Sequence, residues 1–181
     1  DFPDPAIQVL QQATAWLRQR GCASVVGPID GDTWHSYRIN VGPFDAPLFL
    51  GEPANPERYR DMWVKSGFEV AARFHSKVVD NIADILPIME ISWRQAEEDG
   101  YRFRTINKHR LELELEVLYD LSIRSFRNNL LYEDITLNEF VALYADARDL
   151  IDQDLVWIAS DREGNDVGFL FCFIDYAVAV N

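Results

Sequence analysis

The chain has 181 residues, 48% of them hydrophobic and 26% charged, which suits one generous soluble domain or two small ones. Thirty Asp and Glu against 17 Lys and Arg give a net charge of −13. That balance argues against a nucleic-acid partner and against an anionic membrane surface, both of which need clustered positive charge.

Residues 5–20 place Ala6, Val9, Leu10, Ala13, Trp16 and Leu17 at helical spacing, with Pro5 at the start and Gly21 at the stop. Residues 22–26 read as a short buried strand and 27–32, GPIDGD, as a turn. Residues 33–41, TWHSYRINV, alternate like a strand, and a third strand is expected at 48–50. Asn55 is a candidate N-cap, with Pro56 in the first turn of a helix over 56–66 that Gly67 ends. Tyr59, Met62 and Trp63 share one face of that helix, and an extended run begins at Phe68 and reaches Phe74.

The second half starts near residue 84. Helical turns are expected over 78–86, a helix from Pro87 to Glu98, and a strand at 101–106. Residues 110–126 open with the period of a strand at Leu111, Leu113 and Leu115. Length and strong helix formers favour a helix there. Thr136-Leu-Asn-Glu139 is a capping box that opens another helix. A strand at 154–160, a hairpin turn at 162–166 and a long apolar strand at 167–176 complete the pattern.

Few residues stand out for chemistry on their own. His35, His75 and His109 lack ligand spacing, so no metal is expected. Ser36 beside His35 would face the other side of a strand, which is no nucleophile arrangement. Asp175 ends an apolar strand, where a general base can sit. Cys22 and Cys172 have no motif spacing and are expected reduced, in a cytoplasmic setting. No apolar run is long enough to span a membrane.

Four segments, WLRQRGCASVVGPIDGDTWHSYRINV, EPANPERYRDMWVKSGFEV, LSIRSFRNNLLYEDITLNEF and LVWIASDREGNDVGFLF, together resemble the GNAT acyltransferase superfamily, in its tandem-domain form. The resemblance implies an α/β fold with a mixed central sheet flanked by helices. Residues 1–83 look like the closing half of one such domain and 84–181 like the opening half of the next. The two could form one composite domain over 1–181, within the chain or by exchange of elements or edge pairing with a second copy. It also implies an activity, transfer of an acyl group from acetyl-CoA or another acyl-CoA to a small-molecule amine. A non-catalytic relative that binds a small molecule or a partner is the alternative.

The resemblance distributes roles over the chain. Phe171, Cys172 and Phe173 lie on the strand that would pair with the pantetheine arm of the coenzyme, and Asn55 before the last helix would touch the coenzyme. Trp34, Tyr37 and Trp63 would line the acceptor pocket. Trp63 holds the position at which these enzymes often carry a tyrosine as acid toward the leaving thiolate, and an indole cannot serve in that way. Tyr59, one turn earlier, could replace it if the helix were rotated. The family's pyrophosphate turn, Q/R-x-x-G-x-G/A opening a helix, is expected before residues 5–20, yet DFPDP there has no glycine. Charge-assisted phosphate contacts contribute about 1.5–3 kcal/mol each. These 181 residues alone are therefore expected to bind acetyl-CoA weakly or not at all and to carry out no acetyl transfer.

Overall fold

A computed structural model describes residues 4–49, 51–145 and 148–175. The chain divides into two compact units, Asp1–His75 with Asp175–Asn181, and Ser76–Ile174.

In the first unit, Asp4 caps α1 (Pro5–Gln19) by accepting the Ala6 N–H at 3.0 Å, and Pro5 takes the first turn. Gly21, at φ +86°, ends the helix as expected. The second helix, α2 (Tyr59–Lys65), is shorter than the 56–66 expected, and the residue that caps it is Arg58. Asn55 does not act as the N-cap because its side chain is committed elsewhere. Its Oδ1 accepts the Asn40 N–H at 2.7 Å and its Nδ2 donates to the Asn40 carbonyl at 3.0 Å. Pro56–Arg58 instead form a turn, closed by the Tyr59 N–H on the Pro56 carbonyl at 3.0 Å.

The strands expected at 22–26, 33–41 and 68–74 do not form, and the first unit has no strand among its described residues. The strand expected at 48–50 is also missing at residues 48 and 49, and Leu50 lies outside the described residues. A strand needs a neighbouring backbone to complete its ladder. At Asn40 a side chain fills that place. The Asp30 N–H on the Ser36 carbonyl, at 2.8 Å, closes a loop rather than a ladder.

The second unit keeps the expected order of elements. The strand expected over 154–160 starts at Val156, after a 3-10 turn at Gln153–Leu155, and the one expected over 167–176 runs from Asp166 to Phe171. After a single 3-10 turn at Ile82–Asp84, α3 (Leu86–Glu98) leads to β1 (Arg102–Thr105). Residues 110–126 resolve as helix, α4 (Leu111–Phe126), which buries Leu111, Leu115, Leu118 and Leu121 along one face. The capping box at Thr136 and Glu139 opens α5 (Leu137–Leu143). Then come β2 (Val156–Ser160) and β3 (Asp166–Phe171), joined by the expected hairpin. Beyond Phe171 the ladder adds one bond, Cys172 N–H to Leu155 carbonyl at 3.0 Å, and residues 176–181 lie outside the described residues.

The three strands form an antiparallel sheet in the order β1-β2-β3, so the fold is α+β. One face carries Val156 and Ile158, both fully buried, with Phe140, Leu118 and Leu121 among the other fully buried residues. On the other face Trp93 of α3 stacks on Phe103 at 4.1 Å and meets Trp157 edge-on at 5.7 Å. Glu114, a buried acid on α4, is satisfied by Arg104 of β1 at 2.8 Å and by the Asn107 N–H at 3.1 Å. It therefore ties the helix to the sheet at no unpaired cost.

Candidate functional site

The residues singled out by sequence divide between the two units. Trp34, Tyr37, Asn55, Tyr59 and Trp63 belong to the first unit, with Asp175, while Phe171, Cys172 and Phe173 belong to the second.

In the first unit the aromatic residues engage different neighbours. Trp63 points off α2 against Phe68, ring centroids 4.6 Å apart and edge-on, and lies directly over Gly27. A methyl group on Gly27 would come 2.8 Å from the Trp63 ring. Tyr37 meets Phe74 edge-on at 5.6 Å, and the Arg38 guanidinium lies 5.2 Å from the Tyr37 ring and 5.3 Å from the Phe74 ring. Tyr59 is half-buried at the start of α2. The side chain of Asn55 also donates to the Pro56 carbonyl at 3.1 Å, so both ends of its amide hold backbone.

The same loop holds a pair that sequence reading passed over. Asp32 Oδ1 accepts the backbone N–H of Trp34 at 2.8 Å and Nδ1 of His35 at 2.9 Å. Burial works to raise the Asp32 carboxyl, but the His35 ring and the Trp34 N–H outweigh it and hold it below the usual carboxylate range. The carboxylate therefore stays ionised and orients the imidazole. With Nδ1 carrying the proton toward Asp32, Nε2 presents a lone pair that can take a proton. The His35 side chain is 47% exposed, which leaves a ligand room to approach the ring. The available signal was an Asp three residues before a His in a turn-rich run.

In the second unit Phe171 pairs with Val156 in the sheet, and its ring lies 5.6 Å from that of Tyr144. The Cys172 N–H is taken by Leu155, and Cys172 and Phe173 are half-buried. Burial pushes the Tyr144 hydroxyl above its ordinary pKa, so it is a neutral packing group here.

The letters of the phosphate turn do occur, as Arg18-Gln-Arg-Gly21-Cys-Ala23, but at the C-terminal end of α1. There the Gly21 and Cys22 N–H groups are bonded to the Arg18 and Leu17 carbonyls, and the helix dipole presents its negative end. That turn cannot cradle a phosphate. Among the described residues no group of three or more His, Cys, Asp and Glu could hold a metal ion, and no helix is long and apolar enough to cross a membrane.

No family model matches the chain, and no solved structure matches it. Among curated proteins the chain is similar to one named bacterial ceramide synthase, from Caulobacter vibrioides (strain NA1000 / CB15N). The two are 25% identical over 167 residues, which cover 91% of this chain and 43% of the relative. The chain thus spans less than half the length of that relative.

Proposed function

We propose that this chain is part of a GNAT-like N-acyltransferase that moves an acyl group from coenzyme A to an amine. The observation that carries the reading is the similarity, over 91% of the chain, to a protein named for making ceramide. A ceramide is the N-acyl derivative of a long-chain amino alcohol, so the name describes amide formation. The four segments that resemble the GNAT superfamily point to the same chemistry. In this reading the two halves of the chain are the closing half of one GNAT-like domain and the opening half of another, and a long-chain amine is the acceptor class.

The reaction needs four things from the protein. The neutral amine attacks the thioester carbonyl, the nitrogen gives up a proton, the carbon–sulfur bond breaks, and the thiolate takes a proton. Each unit would serve the domain it belongs to: in the second, the backbone of Phe171–Phe173 would pair with a pantetheine arm, as in the family it resembles, and the first would supply the remaining candidates to its own domain. His35, oriented by Asp32, is a suitable acceptor for the amine proton, and Asp175 is a second candidate. Tyr59 is the candidate donor toward the thiolate. Asn55 contributes by shaping the chain before α2, since its amide is spent on Asn40. Trp34, Tyr37 and Trp63 would frame the acceptor.

A specific observation favours a second reading, a non-catalytic relative that binds an amine or a partner. Trp63 occupies the family's tyrosine position and is packed against Gly27 and Phe68. The test is an assay of the polypeptide encoded by the complete reading frame, with a long-chain acyl-CoA and a panel of amines. Amide product supports the transferase. Amine binding without product supports the alternative.

A further inference from the structure

Arg38 is a cation seated on aromatic rings. Its guanidinium lies over Tyr37 and Phe74, 5.2 and 5.3 Å from their centroids, and the two rings meet edge-on at 5.6 Å. One N–H reaches the Tyr37 hydroxyl at 3.4 Å, a long bond, and the residue is half-buried. Among the described residues no carboxylate pairs with it, although the chain has 30 Asp and Glu. Arg104, the more exposed of the two, holds both Glu114 and Asp166. The acid nearest to Arg38 in sequence, Asp32, is taken by the Trp34 N–H and by His35. The rings offset part of the cost of drawing this charge away from water. They leave the other donors of its planar fork without a protein acceptor among the described residues.

We infer that Arg38 is a binding site for the carboxylate of a small molecule. A guanidinium fork matches two carboxylate oxygens side by side, and the charge on both partners strengthens each bond. A planar monoanion suits the site better than phosphate, which would carry more negative charge to a chain whose net charge is already −13. The two rings hold the guanidinium in place before the ligand arrives, so less freedom is lost on binding. Arg38 has no part in the transferase reading, and the inference stands or falls apart from it.

Nuclear magnetic resonance on the 181-residue chain, titrated in turn with butyrate, butyramide and inorganic phosphate, tests this. The Arg38 Nε–H signal and the Tyr37 ring signals are expected to move to saturation with butyrate. Butyramide, the neutral counterpart, leaves them in place, and phosphate binds more weakly. Followed at the Tyr37 ring, butyrate affinity falls at least tenfold in Arg38→Gln. Arg38→Lys, which keeps the charge and loses the fork, gives the same loss should the glutamine variant fail to fold. The polypeptide from the complete reading frame responds to butyrate as the 181-residue chain does. No saturation, an equal response to butyramide, phosphate bound as tightly as butyrate, or an affinity unchanged in both variants overturns the proposal. So does a complete polypeptide in which Arg38 no longer responds, because a carboxylate of its own would then hold the site.

Discussion

The side-chain amide of Asn55 grips the backbone of Asn40 at both its N–H and its carbonyl, across 15 residues of chain. It does for one residue what a neighbouring strand does for many. Asn55→Ala removes both bonds and leaves two half-buried backbone groups to find water. It is expected to destabilise the first unit by about 1–3 kcal/mol. The Asn40 amide should lose its exchange protection in this variant and keep it in Glu57→Ala, a change at an exposed neighbour.

Trp63 sits on a position where only glycine leaves room. Gly27→Ala would place a methyl group 2.8 Å from the rigid indole, and overpacking of this kind costs about 1–3 kcal/mol. Shrinking the indole should relieve it. In urea unfolding the double variant Gly27→Ala, Trp63→Leu is expected to be more stable than the sum of the two single changes, a coupling that independent sites do not show.

The β2–β3 hairpin depends on an ionised Asp161. The Asn165 side chain and backbone N–H, then the N–H groups of Glu163 and Gly164, hold its carboxyl below the ordinary range against a small opposing effect of desolvation. The unfolded chain therefore binds this proton more readily than the fold does. The contribution is present in full above the usual carboxylate range and is lost as pH falls through the lowered value. The protection of amides in the 161–165 turn, measured relative to their intrinsic exchange rate at each pH, is expected to fall on acidification in the native chain. In Asp161→Ala it should already be low at neutral pH and change less.

Coenzyme binding by these 181 residues should lack any benefit from the nucleotide. In the proposed reading Phe171–Phe173 would receive the pantetheine arm, whereas the R-x-x-G-x-A letters lie at the C-terminal end of α1. Calorimetry at moderate salt is expected to find acetyl-CoA bound no more tightly than S-acetylpantetheine, and weakly in both cases. Micromolar or tighter binding of acetyl-CoA alone would mean that another segment cradles the pyrophosphate.

How far the sequence could be read depended on whether each signal was local. In the capping box at Thr136 and Glu139, the turn at 161–165 and the apolar face of α4, the interacting residues are three or four apart in sequence, and these elements formed as expected. Residues 33–41 alternate just as well, yet their backbone at Asn40 is claimed by Asn55, a tertiary contact that no local pattern encodes. The same contact explains why Asn55 failed as a cap. The site was less legible than the fold. Candidates were chosen by type and position, whereas Tyr37 and Trp63 turned to different neighbours, and His35 gained interest only once Asp32 was found beside it.

The central claim is amide formation, and one measurement reaches it directly. The polypeptide from the complete reading frame is incubated with a long-chain acyl-CoA and a long-chain amino alcohol, and the lipid extract is analysed by mass spectrometry. The expected result is an N-acylated amino alcohol formed in step with free coenzyme A, and reduced at least tenfold in His35→Gln. Coenzyme A released without amide, or no product from a folded protein that binds the amine, would contradict the transferase reading.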